Sequence, residues 1–256
     1  MNPNQRGFLT LLKKEVMRFW AVLGQTVSAP VITALLYLLV FAQALQGRMV
    51  SGYEGISYTQ FLVPGLVMMT VIQNAFANTS SSLIQSKVMG NIVFTLMAPL
   101  GPVEWFGAYI LAALVRAALV AAAMLTVTLL FVRLPVAEPL ALLAVFLLSA
   151  GSLAALGIVA GLWAQKFDQI AAFTNFIVTP LSFLSGVFYS VHALPTFWYT
   201  ASHLNPFFYM IDGFRYGFFG HADVALHVSL LWIAGFFALV SGIAYWMLHT
   251  GYRMRK

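Results

Sequence analysis

Six stretches of about twenty mostly apolar residues constrain the fold of this chain more than any motif does. They lie at 21–43, 61–80, 105–132, 139–163, 170–189 and 228–249. Each is long enough for a helix that crosses the hydrocarbon core of a bilayer. Only 8% of the residues are charged, against about a quarter in a soluble domain. The sequence therefore predicts an all-α integral membrane protein with six transmembrane helices in a single domain over 21–256. It excludes a coiled coil, a disordered chain and a water-soluble enzyme.

A few residues interrupt the apolar stretches and are candidates for lining a pathway, because lipid cannot satisfy a polar group. They are Gln73, Asn74 and Asn78 in the second stretch, Arg116 in the third and Pro180 in the fifth. At 1.5 Å per residue, Arg116 lies roughly 16 Å past the start of its stretch, near mid-bilayer. Two alternatives stay open for it. Arg116 lines a path for an anionic or polar headgroup, or it bonds to amides of Gln73 or Asn74.

The distribution of Lys and Arg residues predicts the orientation. If the amino terminus is inside, nine of these residues lie on inner segments and three on outer segments. The nine are Arg6, Lys13, Lys14, Arg18, Lys87, Lys166, Arg253, Arg255 and Lys256, and the three are Arg48, Arg133 and Arg215. Both termini are therefore expected in the cytoplasm. The net charge of +6 reflects topology and attraction to anionic membrane lipids, and nucleic acid is not expected as a partner.

The amino-terminal segment has an amphipathic helical pattern. At 100° per residue, one arc holds the apolar residues Phe8, Leu9, Leu12, Val16, Phe19 and Trp20. Lys13, Lys14 and Arg18 lie on the other side. The pattern predicts a helix over 1–20 that lies in the membrane interface. The alternative is a basic flank that only anchors the first span.

The longest inner loop, at 80–104, contains a short helical pattern. Ile92 and Leu96, with Met89 before them, recur at helical spacing, and Pro99 ends the pattern. An apolar helix outside the bilayer needs a cover, which is either the protein's own spans or a partner's groove. Periodicity alone does not separate these two alternatives.

The outer segment at 190–227 is too aromatic for a solvated loop. Asn205 and Pro206 divide it into two pieces too short to span, which favours a re-entrant helical hairpin over a surface aromatic belt. Asp212 and Arg215 have the i, i+3 spacing of a helical ion pair.

The sequence carries no recognisable catalytic constellation. There is no G-x-x-x-x-G-K-[ST] motif to hold ATP, and the five histidines lack metal-binding spacing, so neither a catalytic site nor a metal site is expected. None of the carboxylates lies in the middle of a span, which argues against a proton- or sodium-coupled carrier. Gly157 and Gly161 form a G-x-x-x-G helix-packing signal in the fourth span.

Several strings resemble the ABC-2 permease family, in particular its YadH/NodJ-like branch. They are FLVPGL at 61–66, PLSFLSGVFY at 180–189, HLNP at 203–206 and GFRYG at 213–217. The resemblance runs nearly end to end. It implies a bacterial inner-membrane permease that forms the translocation path of an exporter as a homodimer. Two copies of a separate ATPase would bind ATP and magnesium, and this chain would bind no cofactor. The cargo would be a lipid-linked glycan, a lipid or an amphiphilic drug.

The resemblance also assigns roles to particular residues. The loop would form the coupling helix that docks on the ATPase, through Lys87, Val88, Met89, Asn91, Ile92, Leu96 and Pro99. Helix 1–20 would be the connecting helix, with Lys13, Lys14 and Arg18, and the hairpin would gate the outer end. Relatives commonly have acids after the Ile of the coupling helix, where this chain has Val93 and Phe94. The alternative function is a secondary carrier or channel that works without an ATPase.

Overall fold

The computed structural model describes residues 3–44, 53 and 55–254, and its regular elements are all helices. The helices, in chain order, are α1 (Pro3–Trp20), α2 (Leu23–Ala44), α3 (Tyr58–Val88), α4 (Ile92–Met97), α5 (Pro102–Thr128), α6 (Pro139–Trp163), α7 (Phe167–Phe173), a π-helix (Thr174–Val178), α8 (Thr179–Phe183), a 3₁₀ turn (Val191–Ala193), α9 (Thr196–His203), α10 (Pro206–Phe219) and α11 (Leu226–Thr250). Of the residues counted for orientation, Arg48, Arg255 and Lys256 lie outside the described residues. The orientation stays a prediction.

Five of the described helices are long and apolar enough to cross a membrane: α2, α3, α5, α6 and α11. The predicted fifth stretch, 170–189, is instead a succession of α7, the π-helix and α8. Pro180 lies two residues after the π-helical turn. Because Pro180 has no N–H to donate to the preceding turn, the regular α-helical bonding cannot continue through it. A sixth span is therefore not established by helix length.

The central helix is α3, which packs against α2, α5, α6 and α10. Most of the residues in its apolar window are buried inside the protein. Gly157 and Gly161 of α6 face α3 directly, so that a Cβ atom on Gly157 would lie 2.5 Å from the Phe76 carbonyl oxygen. The helix-packing interpretation of this glycine pair is confirmed.

α3 extends further than the sequence predicted, to Val88 rather than residue 80. Lys87 and Val88 therefore belong to this helix, and the loop starts at Met89. Five of the eight added residues, 81–88, are polar or charged, which concealed these turns from a search for apolar spans. With 31 residues, α3 is about 46 Å long, longer than the roughly 30 Å hydrocarbon core.

α1 is the predicted amphipathic helix, but it is covered by protein more than a purely interfacial helix would be. It packs against α5 and buries Leu11, Glu15 and Phe19. Leu9 and Trp20, both predicted on the apolar face, are 47% and 53% exposed. The packed stripe is therefore rotated relative to the predicted arc.

The outer segment divides where the sequence predicted. α9 ends at His203 and α10 begins at Pro206, with Asn205 as its N-cap. The Asn205 side chain accepts a hydrogen bond from the Phe207 N–H and donates one to the Leu181 carbonyl oxygen. These bonds join the hairpin to the end of α8.

Candidate functional site

A cavity of about 370 Å³ lies between α2, α3 and α8. One part of its wall carries hydroxyl and amide groups, from Thr33, Thr70, Gln73, Asn74 and Thr179. The other part is apolar and includes Tyr37, Leu66, Met69 and Phe183. No charged residue lines the cavity among the described residues. Such a wall suits a molecule with neutral hydrogen-bonding groups beside an apolar part.

Two of the predicted pathway residues, Gln73 and Asn74, line this cavity. Thr33 and Thr179 were missed, because a single threonine in an apolar helix is compatible with any environment. Thr33, for example, bonds back to the carbonyl oxygen of Ala29 in its own helix. Pro180 follows Thr179 at the start of α8, so it lies beside the cavity wall.

Arg116 does not line the cavity but forms a hydrogen bond with Asn74, which does. Its guanidinium donates a 3.1 Å hydrogen bond to Asn74 Oδ1. Its Nε is buried without a hydrogen-bond partner. Of the two alternatives for this residue, the structure has the bonded one, and the amide partner is Asn74.

Asn78 lies away from the cavity, in a buried polar network that holds α1 against α3. Arg18 donates to the Asn78 carbonyl oxygen at 2.7 Å and to Oδ1 at 3.1 Å. Arg18 also pairs with the fully buried Glu15 at 3.2 Å. Sequence reasoning missed Glu15, although its i, i+3 spacing to Arg18 was a signal. Arg18 thus bonds within the protein, while Lys13 and Lys14 lie on the exposed face of α1.

Two of the predicted docking residues contact the protein's own core. Lys87 donates to the carbonyl oxygens of Gly161, Leu162 and Ala164, at the carboxyl end of α6. A cation at this end of a helix interacts favourably with its unpaired carbonyl groups. Ile92 is only 5% exposed and belongs to the apolar core.

The surface around α4 is nevertheless apolar and exposed. Phe94 and Met97 are 74% and 78% exposed. The exposed set comprises Val88, Met89, Val93, Phe94, Leu96 and Met97, with the exposed Asn91 and Pro99 beside it. We call this set the α4 surface. Its exposed members include Val93 and Phe94, which the loop periodicity had not selected.

Arg215 in α10 does not form the predicted ion pair with Asp212. Its guanidinium lies over the Phe61 ring at 3.6 Å. It donates to the carbonyl oxygens of Phe61, Gly186 and Val187. Arg215 thereby joins the hairpin to the start of α3 and to the turn after α8. Pro206 occupies the first position of the same helix, where its missing N–H costs nothing.

Asp212 accepts hydrogen bonds from the N–H groups of Asp223 at 2.9 Å and Val224 at 3.0 Å. These bonds explain why it is not paired with Arg215. Burial, reinforced by the nearby Asp223 carboxylate, raises the pKa of Asp212 to about 6. The hydroxyl group of Tyr53 lies 3.5 Å from Asp212 Oδ1.

In the described part of the chain, no three His, Asp or Glu side chains converge on a point that would hold a metal ion.

Comparison with known proteins gives consistent matches. The family model described as ABC-2 type transporter matches residues 6–219. Inner membrane transport permease YadH of Escherichia coli strain K12 is 39% identical over 213 residues, which cover 83% of each chain. Nodulation protein J of Rhizobium leguminosarum bv. trifolii is 29% identical over 215 residues, covering 78% of this chain and 77% of the relative. Nodulation protein J of Sinorhizobium fredii is 29% identical over 203 residues, covering 73% and 72%.

Proposed function

Because this chain belongs to the ABC-2 type transporter family, as a transport permease of the YadH/NodJ-like branch, we propose that it is the membrane subunit of an ATP-driven exporter. Two copies of the chain form the translocation path, and two copies of a separate ATPase supply the energy. ATP and magnesium are held by the ATPase, since this chain lacks the phosphate-binding loop motif.

The α4 surface is the observation that carries the proposal. Phe94 and Met97 are about three-quarters exposed on the short helix that follows α3. Exposed apolar clusters of this kind mark interaction sites. Docking of the ATPase here would cover them and would apply its motion to the end of α3. The docking residues are therefore Phe94, Met97 and their exposed neighbours, with Ile92 supporting α4 from inside.

The experiment is purification of the tagged full chain from its own membranes. We expect a subunit with an ATP-binding loop to copurify with the wild-type chain. Phe94→Asp should abolish this association, because it places a charge in an apolar interface. Phe131→Asp is the matched control, since Phe131 is also exposed, at 68%, but follows the opposite end of α5. Unaided transport by the purified chain would contradict the proposal.

A second copy of the chain is proposed to enclose the cavity. α2, α3 and α8 frame it, and large apolar side chains are exposed on α2 and on the π-helix before α8, with Leu39 60% and Phe176 81% exposed. The chain has no cysteine, so single cysteines can be tested without background. Phe176→Cys should give a disulfide-linked dimer in native membranes. Leu231→Cys, on the exposed face of α11, should not.

The cargo is proposed to be an amphiphile: a lipid-linked glycan, a lipid or an amphiphilic drug. The cavity supports this class, because hydroxyl and amide groups lie beside an apolar wall. Candidate cargos should stimulate ATP hydrolysis by the assembled complex. In a Thr33→Cys chain, attachment of a bulky thiol reagent should remove that stimulation while basal hydrolysis remains.

A further inference from the structure

A pocket of about 460 Å³ lies where the carboxyl ends of α6 and α11 come together. Trp163 is the last residue of α6, and Trp246 lies about one turn before the end of α11. Phe173 of α7 and Ile177 of the π-helix form a further part of the wall, and Tyr252 follows α11. All the side chains that line the pocket are apolar or aromatic. The pocket therefore suits an apolar ligand.

The aromatic side chains of the pocket indicate its depth in the membrane. Trp163, Trp246 and Tyr252 belong to the residue types that concentrate where the acyl chains of a bilayer meet its headgroups. Both tryptophans are exposed, and they lie at the ends of two helices that are long and apolar enough to span. The pocket is therefore expected at the boundary between acyl chains and headgroups.

A cation is held at the rim of this pocket. Arg253 does not line the pocket, but its Nη1 donates a 2.8 Å hydrogen bond to the carbonyl oxygen of Trp163. Its guanidinium also lies 5.5 Å from the centre of the Tyr252 ring, and both of these partners line the pocket. The backbone of Arg253 has a φ of 53°, in the left-handed region that residues other than glycine rarely adopt. Two contacts thus hold the guanidinium beside the pocket although its backbone is strained.

Most of the guanidinium stays available to a ligand. Five N–H groups can donate from an arginine side chain, and one of them is bonded to Trp163. Arg253 is exposed, and it pairs with no carboxylate in the part of the chain that the structure describes. The turn before α7 and the first turn of α7 add Lys166 and Asp168, which are exposed and opposite in charge. The charge of Arg253 is therefore not compensated by the protein.

We infer that this pocket binds an anionic phospholipid of the membrane, with an acyl chain in the apolar pocket and the phosphate on Arg253. A phosphate can accept two parallel hydrogen bonds from one guanidinium, which makes this contact stronger than one between neutral groups. Basic pockets between transmembrane helices are suited to anionic headgroups. The inference does not depend on the proposed ATPase, because it concerns only this chain and the membrane.

The charge at the rim favours a lipid over a second copy of the chain. An apolar helix packed here would cover Trp163 and Trp246, but it would leave the charge of Arg253 unpaired, which is costly. A phospholipid supplies both an apolar chain and a negative charge. Its acyl chain would also contact Phe173, which stacks on Phe76 of α3 with ring centres 5.5 Å apart. The bound lipid would therefore support the contact between α7 and the central helix.

The test titrates the purified full chain, in a neutral detergent, with phosphatidylglycerol or phosphatidylcholine of identical acyl chains. Native mass spectrometry counts the lipids that remain bound to each chain. We expect one phosphatidylglycerol to bind more tightly than phosphatidylcholine. Arg253→Gln should weaken phosphatidylglycerol binding about tenfold, since a hydrogen bond to a charged group is lost. Ile177→Trp should weaken it as well, because the larger side chain fills the pocket.

Two control variants match these substitutions. Arg133→Gln removes an exposed cation beyond the far end of α5. Ile243→Trp enlarges a residue that is 43% exposed on α11 outside the pocket, whereas Ile177 is 41% exposed. Both controls should bind phosphatidylglycerol within about twofold of the wild-type chain. A melting curve verifies that each variant is folded.

Three results would overturn the inference. If phosphatidylcholine binds as tightly as phosphatidylglycerol, or if R253Q binds as R133Q does, Arg253 does not recognise a headgroup. If R253Q loses the lipid while I177W keeps it, the phosphate is bound but the pocket holds no acyl chain. If I177W abolishes dimers in the same spectra and keeps the lipid, the pocket is an interface between two copies of the chain.

Discussion

Arg18 in the first helix donates two hydrogen bonds to Asn78 in the interior of α3, at 2.7 and 3.1 Å. Asn78 lies one helical turn from Asn74, which lines the cavity. The same guanidinium pairs with the fully buried Glu15. α1 is therefore bonded to the helix that forms the cavity wall, and a displacement of α1 would be transmitted to α3.

Replacing Arg18 by Met should strongly destabilise the chain. It leaves the buried Glu15 with Lys14 as its remaining ion-pair partner among the described residues, and removing one partner of a buried ion pair costs about 3–5 kcal/mol. We expect about 3 kcal/mol, seen as a lower thermal unfolding midpoint in detergent. Lys13→Met removes an exposed cation and should change stability by less than about 0.5 kcal/mol.

The double variant E15Q/R18M separates the ion pair from the packing of the two side chains. It should recover part of the lost stability, because no uncompensated charge remains buried. A double variant that is as unstable as R18M alone would show that the ion pair is not the source of the effect.

Gly157→Ala should separate α6 from α3. The added Cβ would overlap Thr79 Oγ1 and lie 2.5 Å from the Phe76 carbonyl oxygen. Overpacking of this kind costs about 1–3 kcal/mol. Gly242→Ala is the control, because nothing lies within 4 Å of a Cβ at Gly242. Equal unfolding midpoints for the two variants would contradict close packing at Gly157.

Arg215→Lys should destabilise the hairpin although the charge is kept. The planar guanidinium binds three carbonyl oxygens and covers the Phe61 ring at 3.6 Å. An ammonium group cannot reproduce that fork and stack, and at least one buried carbonyl would lose its donor, at about 1–3 kcal/mol. Limited proteolysis between α8 and α9 measures the effect, since the turn at Gly186 depends on this residue. Unchanged cleavage rates would count against the role given to Arg215.

The features that the sequence predicted are those that depend on local pattern. Asn205 and Pro206 end one helix and begin the next through their own backbone chemistry. Gly157 and Gly161 lie on one face of α6 because they are four residues apart. The amphipathic pattern of α1 could likewise be recognised from its own residues. Which stripe of α1 is buried, however, depends on its packing against α5.

The features that the sequence did not predict depend on distant partners. Glu15 is buried because Arg18 reaches Asn78, 60 residues away. Arg215 has a suitable helical neighbour in Asp212, yet its acceptors are carbonyl groups, one of them 154 residues away at Phe61. Backbone carbonyls are identical in every sequence, so no residue pattern marks them. The orientation of Ile92 toward the core was hidden for a similar reason, since periodicity does not tell which side a stripe faces.

The stability of the chain should fall as the pH rises from about 4 to above 6 through the titration of Asp212. Its pKa is raised from 3.8 to about 6 in the folded protein, first by burial and then by the Asp223 carboxylate. Asp212 lies in the 14-residue α10, which is too short to span. Between the two pKa values the folded state retains a proton that the unfolded state has released, so this contribution is complete below pH 3.8 and is lost as the pH passes through 6. A shift of about two units corresponds to roughly 3 kcal/mol at most.

Asp212→Asn removes this titration while keeping a similar shape. We therefore expect the thermal midpoint of the wild-type chain to fall more between pH 5 and pH 7.5 than that of D212N. Asp168→Asn, which removes an exposed carboxylate in the first turn of α7, should follow the wild-type profile. Because other groups titrate in the same range, the difference between the wild-type and D212N profiles isolates Asp212. If the two profiles run parallel, the carboxylate is ionised in the folded protein throughout this range, and the hydrogen bonds from Asp223 and Val224 outweigh its burial.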